Sequence, residues 1–152
     1  MEDFLLTALQ KARHYCAYQE RCHGEVREKL YSFSLHKKDV EQIITQLIED
    51  GCLNEERFAI AYARGKFKLK RWGKEKIKYA LKQKRISDYC IRKALALISA
   101  SEYNKTFSSI ANKKLATLKS EKNIFIKKKK MKDHLQQKGF EIKMITSYLK
   151  AL

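Results

Sequence analysis

The sequence predicts an all-α protein made of three tandem three-helix, helix-turn-helix-like repeats arranged as an elongated array, and that class rests on three observations. The first is a repeat. Val26, Leu30, Leu35, Val40, Ile44 and Leu47 return 51 residues later as Ile77, Leu81, Ile86, Ile91, Leu95 and Ile98, and 54 residues after that as Met131, Leu135, Phe140, Ile145, Leu149 and Leu152. Each set steps by four, five, five, four and three, the pattern of two amphipathic helices joined by a short turn. The second is the absence of proline and the presence of only five glycines, so little interrupts the helical period. The third is an apolar fraction of 44% over 152 residues, enough to bury cores without staples. Repeated units bury against their neighbours faces that none can bury alone, which places function on a long shared surface rather than in one deep pocket.

The first helix runs from about Glu2 to Gln19, the second from Gly24 to Tyr31, and the third from Lys37 to Asp50, where Gly51 suits a left-handed closing residue. Asn54 followed by Glu55 and Glu56 reads as an N-cap with acidic residues in the first turn, opening a fourth helix that ends before Trp72-Gly73. The fifth covers Lys74 to Lys84, and the sixth covers Asp88 to Ala100 behind a Ser87 cap. The last three run from Ser101 to Leu118, Ile124 to Lys138 and Glu141 to Leu152, with Gly139 ending the eighth. The expected units are therefore 1–53, 54–100 and 101–152. Ser34, Arg85 and Gly139 share the turn position between the second and third helix of each unit. A non-glycine there costs on the order of 1 kcal/mol in a left-handed turn, so Ser34 and Arg85 are expected to take a slightly different one.

Charge separates the copies. Residues 1–56 hold 7 Lys+Arg against 11 Asp+Glu, a net of −4; the remaining 27 and 6 give residues 57–152 a net of +21. Such a field draws in anions, whether phosphate backbones or an acidic protein face. The chain opens Met-Glu-Asp without a basic segment or a signal-length apolar run, and its longest apolar stretch, Phe58 to Ala63, is too short to span a bilayer. A soluble, cytoplasmic monomer with no membrane contact is expected. Cys16, Cys22, Cys52 and Cys90 are scattered through helical patterns, as reduced thiols are, rather than through loops as in a disulfide framework. His14, Cys16, Cys22 and His23 can be drawn as a zinc site, but no second pair stands at finger spacing, and half-buried thiols beside surface imidazoles are the expectation. No phosphate loop, dinucleotide fingerprint, His-Glu-x-x-His or nucleophile elbow can be written, so neither catalytic nor cofactor-binding residues are assigned.

At Leu53-Asn54-Glu55-Glu56-Arg57-Phe58-Ala59, and at Trp72-Gly73-Lys74-Glu75-Lys76-Ile77 with the later Leu81 and Ile86, the chain resembles the RecX family, bacterial regulators of the RecA recombinase. Arg21 to Leu30 resembles the family's first-unit segment, with Cys22 and Val26 as departures. The resemblance runs nearly end to end; the middle segment is its specific part, and the third unit is generic. It implies an elongated, slightly curved protein of three tandem units that enters the groove of a RecA-DNA filament. It also implies a non-enzymatic role, limiting filament growth and damping ATPase and strand exchange.

The richest stretch for contact is Tyr62 to Lys84, where Arg64, Lys66, Lys68, Lys70, Arg71, Lys74, Lys76, Lys78 and Lys82 interleave with Tyr62, Phe67, Trp72 and Tyr79. Cations pair phosphates and aromatics stack bases, although the same pattern describes core aromatics beside a solvated face. Phe67 and Tyr62 are assigned to the core by their helical spacing, and Trp72 is left open between core and contact. Arg64, Lys68, Arg71, Trp72, Lys74, Lys76 and Lys78 are the partner-binding candidates, with Arg71 and Lys74, beside the helix break, foremost. Lys127, Lys128, Lys129, Lys130 and Lys132 form a second, DNA-binding candidate, a crown of cations with Ile126 and Met131 facing inward. Two functions follow: a recombinase-filament modulator, or a stand-alone DNA-binding architectural array contacting single- or double-stranded DNA. The acidic first unit favours the former, because opposite signs suit opposite partners. A small enzyme with a pocket between units is a third, weaker reading.

Overall fold

The computed structural model describes residues 2–152. Among them lie nine α-helices: α1 (Asp3–Tyr18), α2 (His23–Tyr31), α3 (Lys37–Glu49), α4 (Glu55–Lys70), α5 (Lys74–Gln83), α6 (Asp88–Ala96), α7 (Ala100–Thr117), α8 (Ile124–Gln137) and α9 (Ile142–Lys150). They pack in sequential triplets. α1 lies on α2 and α3; α4 lies mainly on α6 with α5 beside both; α8 touches both α7 and α9. No helix of the described residues is long and apolar enough to cross a membrane.

Side-chain caps start several helices. Asn54 Oδ1 accepts the Arg57 amide at 2.8 Å, Ser87 Oγ the Cys90 amide at 3.3 Å, and Asn123 Oδ1 the Phe125 amide at 3.0 Å. Ser99 likewise accepts the Glu102 amide at 3.3 Å. That cap moves a boundary: α6 stops at Ala96 rather than Ala100, and Ser99 opens α7. The unbroken apolar period from Ile91 to Ile98 concealed the stop.

The repeat is also a repeat of turn geometry. Ser34, Arg85 and Gly139 have φ of 62°, 61° and 96°, so all three copies use the same left-handed residue, against the expectation that the first two would differ. Their amides donate to Tyr31, Lys82 and Gln136 carbonyls at 3.0, 2.9 and 2.9 Å. The packing of the following apolar residue, Leu35, Ile86 or Phe140, outweighs the roughly 1 kcal/mol of strain at a non-glycine.

Two cores result. One belongs to the first unit, with Val26, Leu30, Val40, Ile43 and Leu47 fully enclosed. The other is continuous across the second and third units, running from Ile77 and Leu81 to Met131, Leu135 and Ile145, and takes in Cys22 from the first unit. At the second joint, a chain of rings, Phe67, Tyr103, Phe140, Phe107 and Tyr148, carries the core across with centroids 5.1–5.8 Å apart. There the start of α5 also docks on the end of α8. The Gly73 amide donates to the Lys138 carbonyl at 2.8 Å, and the Glu75 amide to the Gly139 carbonyl at 2.9 Å. Orphan donors of one helix thus meet orphan acceptors of another, with dipoles head to tail. The backbones approach so closely that only glycine fits at 73 and at 139. The first joint is polar instead: Arg57 reaches back to Glu20 and donates to the Gly51 carbonyl at 2.9 Å, and Lys84 lies 4.0 Å from Glu25.

The accessible surface of 9923 Å² exceeds by about a quarter the value of about 8,000 Å² that a compact monomer of this mass presents. The excess is the signature of an extended array of small units.

Candidate functional site

Helix α4 buries Ala59, Ala63 and Phe67 and leaves Arg64 and Lys68, one turn apart, on its exposed side. It ends at Arg71, which has φ 58°. That is the left-handed closing position glycine ordinarily fills, and here it projects an exposed guanidinium from the break. Trp72 is half-buried against the shared core, with Lys66 Nζ 5.0 Å and Lys76 Nζ 4.7 Å from its ring centre. Its body packs on the core, and its ring gathers two cations. Lys74 Nζ sits 4.9 Å from the Tyr103 ring, while the Lys74 amide donates to Tyr103 Oη at 2.9 Å. Tyr103 in turn donates to the Glu141 carboxylate, and burial pushes its phenol well above the ordinary range. Tyr62 and Phe67 pack into the core as expected, with burial also raising the Tyr62 phenol.

Among the described residues, none of Arg64, Lys68, Arg71, Lys74, Lys76 and Lys78 has a carboxylate within ion-pair distance. Most acidic partners are spent in the first unit and its joint, on Arg13, Arg21, Arg27, Arg57 and Lys84. The strip from Arg64 to Lys78 therefore presents uncompensated charge, fixed in part by rings, across the junction of the second and third units.

The second patch lies elsewhere. Lys127 and Lys128 are half-buried, Lys129, Lys130 and Lys132 exposed, and Lys130 pairs with Glu121 at 3.6 Å. Lys128 stands about 15 Å along α8 from the Lys138 end that meets Gly73. Ile126 does not face inward: it is 44% exposed, beside Ile124 and Phe125 at 43% and 81%. Five residues before Met131, it sits about 140° around the helix from the buried Met131–Leu135 stripe.

The four candidate zinc ligands do not converge. Cys16 lies in the first core and Cys22 in the second, and among the described residues no group of three or more His, Cys, Asp or Glu side chains is placed to hold a metal. Burial raises both thiols and lowers His23. One feature escaped the sequence reading: a groove on the first unit where Lys11, Arg21 and Lys29 lie against Tyr15, Tyr18 and Phe33. Its signal was present in the pairs Lys11/Tyr15 and Lys29/Phe33, each four apart, and was masked by the unit's net negative charge.

Comparison with known proteins agrees with this arrangement. The family described as "RecX, second three-helix domain" matches residues 54–95, which include α4, the helix break and the strip of free cations. A protein named "Regulatory protein RecX" from Clostridium tetani is 32% identical, covering 99% of this chain and 69% of its own length. One of the same name from Prosthecochloris aestuarii is 28% identical over 95% of this chain and 93% of its length. The chain spans about half, 54%, of the Clostridium perfringens relative, to which it is 32% identical. The crystal structure of RecX from Lactobacillus salivarius superposes over 100% of this chain and 98% of that one, with a TM-score of 0.86 and 29% identity. With the middle segment matched by the family and a relative 32% identical over nearly the whole chain, this chain belongs to the RecX family of regulatory proteins.

Proposed function

We propose that this protein binds the RecA recombinase filament and inhibits its ATPase, filament extension and strand exchange, acting as a non-catalytic cytoplasmic monomer. The observation that carries this reading is the strip of unpaired cations at the junction of the second and third units, within the segment that matches the family. Its centre is Arg71. An arginine in the left-handed region is about 1 kcal/mol less favourable than glycine, a cost that a contact between its side chain and the partner would offset. A fixed guanidinium makes oriented contacts with a carboxylate or a phosphate, which a lysine on a continuous helix does less specifically. Division into an acidic unit, 1–53, and two basic units, 54–100 and 101–152, suits a protein that spans recombinase protomers: opposite ends carry opposite sign. A stand-alone DNA-binding array has no use for the acidic end.

The test compares two variants on RecA filaments formed on single-stranded DNA. Arg71, Lys74 and Lys76 reversed to glutamate together abolish inhibition. Because Lys74 and Lys76 also pack on Tyr103 and Trp72, Arg71→Glu alone serves as the variant that leaves packing intact, and it weakens inhibition. Lys127 to Lys130 changed to glutamine leaves inhibition largely in place and flattens the salt dependence of naked-DNA binding by roughly 0.7 per lost contact. Equal loss of inhibition in the glutamine variant contradicts the assignment of partner contact to the second unit.

A further inference from the structure

We propose that the first unit carries a separate binding groove for unpaired bases of a single-stranded nucleic acid, with the exposed Tyr18 as the stacking surface, Tyr15 and Phe33 as its walls, and Lys11 and Lys29 as phosphate partners. The groove, of about 630 Å³, runs along α1 and across to the end of α2. Its cations are held by rings. The Arg21 guanidinium lies 3.8 Å from the Tyr15 ring centre, and its Nε donates to the Tyr15 carbonyl at 3.2 Å. With its side chain only 12% exposed and paired with Glu25, Arg21 is a fixed part of the groove wall. Lys29 Nζ sits 5.3 Å from Tyr15 and 5.9 Å from Phe33, and Lys11 Nζ 5.3 Å from Phe33.

Residues 1–56 contain eleven carboxylates and seven Lys and Arg, yet three of the seven meet in this groove and none of the eleven lines it. Among the described residues Lys11 and Lys29 have no ion-pair partner, while Arg21 pairs with Glu25 at 3.7 Å and Arg13 and Arg27 each pair with a carboxylate. A local pocket of positive charge in an otherwise negative unit selects for an anion that also offers something to the rings. Tyr18 is 79% exposed at the rim, continuous with the half-buried Tyr15 and Phe33. An exposed ring beside two unpaired lysines matches the repeating chemistry of an unpaired strand, base then phosphate. A duplex keeps its base faces stacked inside. An acidic peptide satisfies the cations and leaves the rings idle.

This groove is independent of the recombinase, so it stands or falls on a naked strand, whatever the filament assays give. The experiment measures fluorescence anisotropy of the whole chain with a labelled oligothymidylate, an abasic strand of the same length, and a duplex. The basic second and third units bind all three through phosphates; the groove adds a preference for thymidylate over the abasic strand. Tyr18→Ala, at an exposed position, removes that preference, lowering thymidylate affinity by about five-fold or more and leaving the abasic strand unaffected. Lys11→Gln with Lys29→Gln reduces the salt slope for the single strand by about 1.4. Equal binding of thymidylate and abasic strands by the unchanged chain, or a preference that survives Tyr18→Ala, overturns the proposal. Displacement of thymidylate by polyglutamate as readily as by unlabelled thymidylate overturns it in favour of an acidic peptide.

Discussion

Replacing Gly73 by alanine tests whether the second and third units are one body. A Cβ at Gly73 would lie 2.4 Å from both the carbonyl carbon and oxygen of Gly139 and 2.5 Å from the Phe140 nitrogen. These are backbone atoms that cannot rotate away, so the start of α5 and the end of α8 must separate by about 1 Å to reach ordinary contact distance. Separation breaks the Gly73–Lys138 and Glu75–Gly139 hydrogen bonds, at 2.8 and 2.9 Å. Each contributes about 1 kcal/mol, more if a buried group is left unpaired, which gives a loss of about 2–4 kcal/mol. Gly65→Ala is the control: it lies mid-α4, has nothing within 4 Å of its Cβ position, and gains up to about 1 kcal/mol in helix propensity. Urea unfolding followed by circular dichroism and by fluorescence of Trp72, the single tryptophan, beside the joint, reads both changes. A Gly73→Ala midpoint equivalent to within about 0.5 kcal/mol of the unchanged chain would refute the interlocked joint.

Tyr103→Phe leaves the Lys74 amide and the Glu141 carboxylate without their shared hydroxyl and lowers stability by about 1–3 kcal/mol in the same assay; an unchanged midpoint shows that water replaces the hydroxyl freely. Arg71→Gly relieves the left-handed strain and stabilises the chain by about 1 kcal/mol while weakening filament binding; a variant less stable than the parent shows that the position is unstrained. Burial holds the His23 and His134 imidazoles below their ordinary range. The stability these neutral rings contribute is present above about pH 6.5 and is lost as pH falls below it, because the unfolded chain then binds more protons. The urea midpoint therefore drops between pH 7.5 and 5.5, and drops less when both are glutamine; a midpoint that rises over that interval contradicts the sign.

The triplet architecture was legible because Val26 to Leu47 and its two copies impose the same buried stripe three times, and a four-five-five-four-three pattern admits no strand reading. The α6–α7 boundary was not legible, because apolar residues continue at helical spacing through Leu95 and Ile98 while the Ser99 cap decides the break. Nor was the difference between the two joints. Gly73 and Gly139 are 66 residues apart, and nothing local says that they meet back to back. The basic strip was readable as charge, but its state was not. Whether Lys74 and Lys76 float in solvent or lean on Tyr103 and Trp72 depends on the fold that brings α7 to the start of α5. The groove on the first unit was hidden for the opposite reason: summed charge averages over a surface whose acids and cations lie on different faces.

The most direct test of the central claim is binding to RecA filaments on single-stranded DNA compared with binding to the same DNA naked, at one salt concentration. A filament modulator binds the filament more tightly, and its inhibition of ATPase is complete at well below one molecule per recombinase protomer. Tighter binding to naked DNA, with inhibition appearing only when the DNA is saturated, would contradict the account and leave a DNA-binding array in its place.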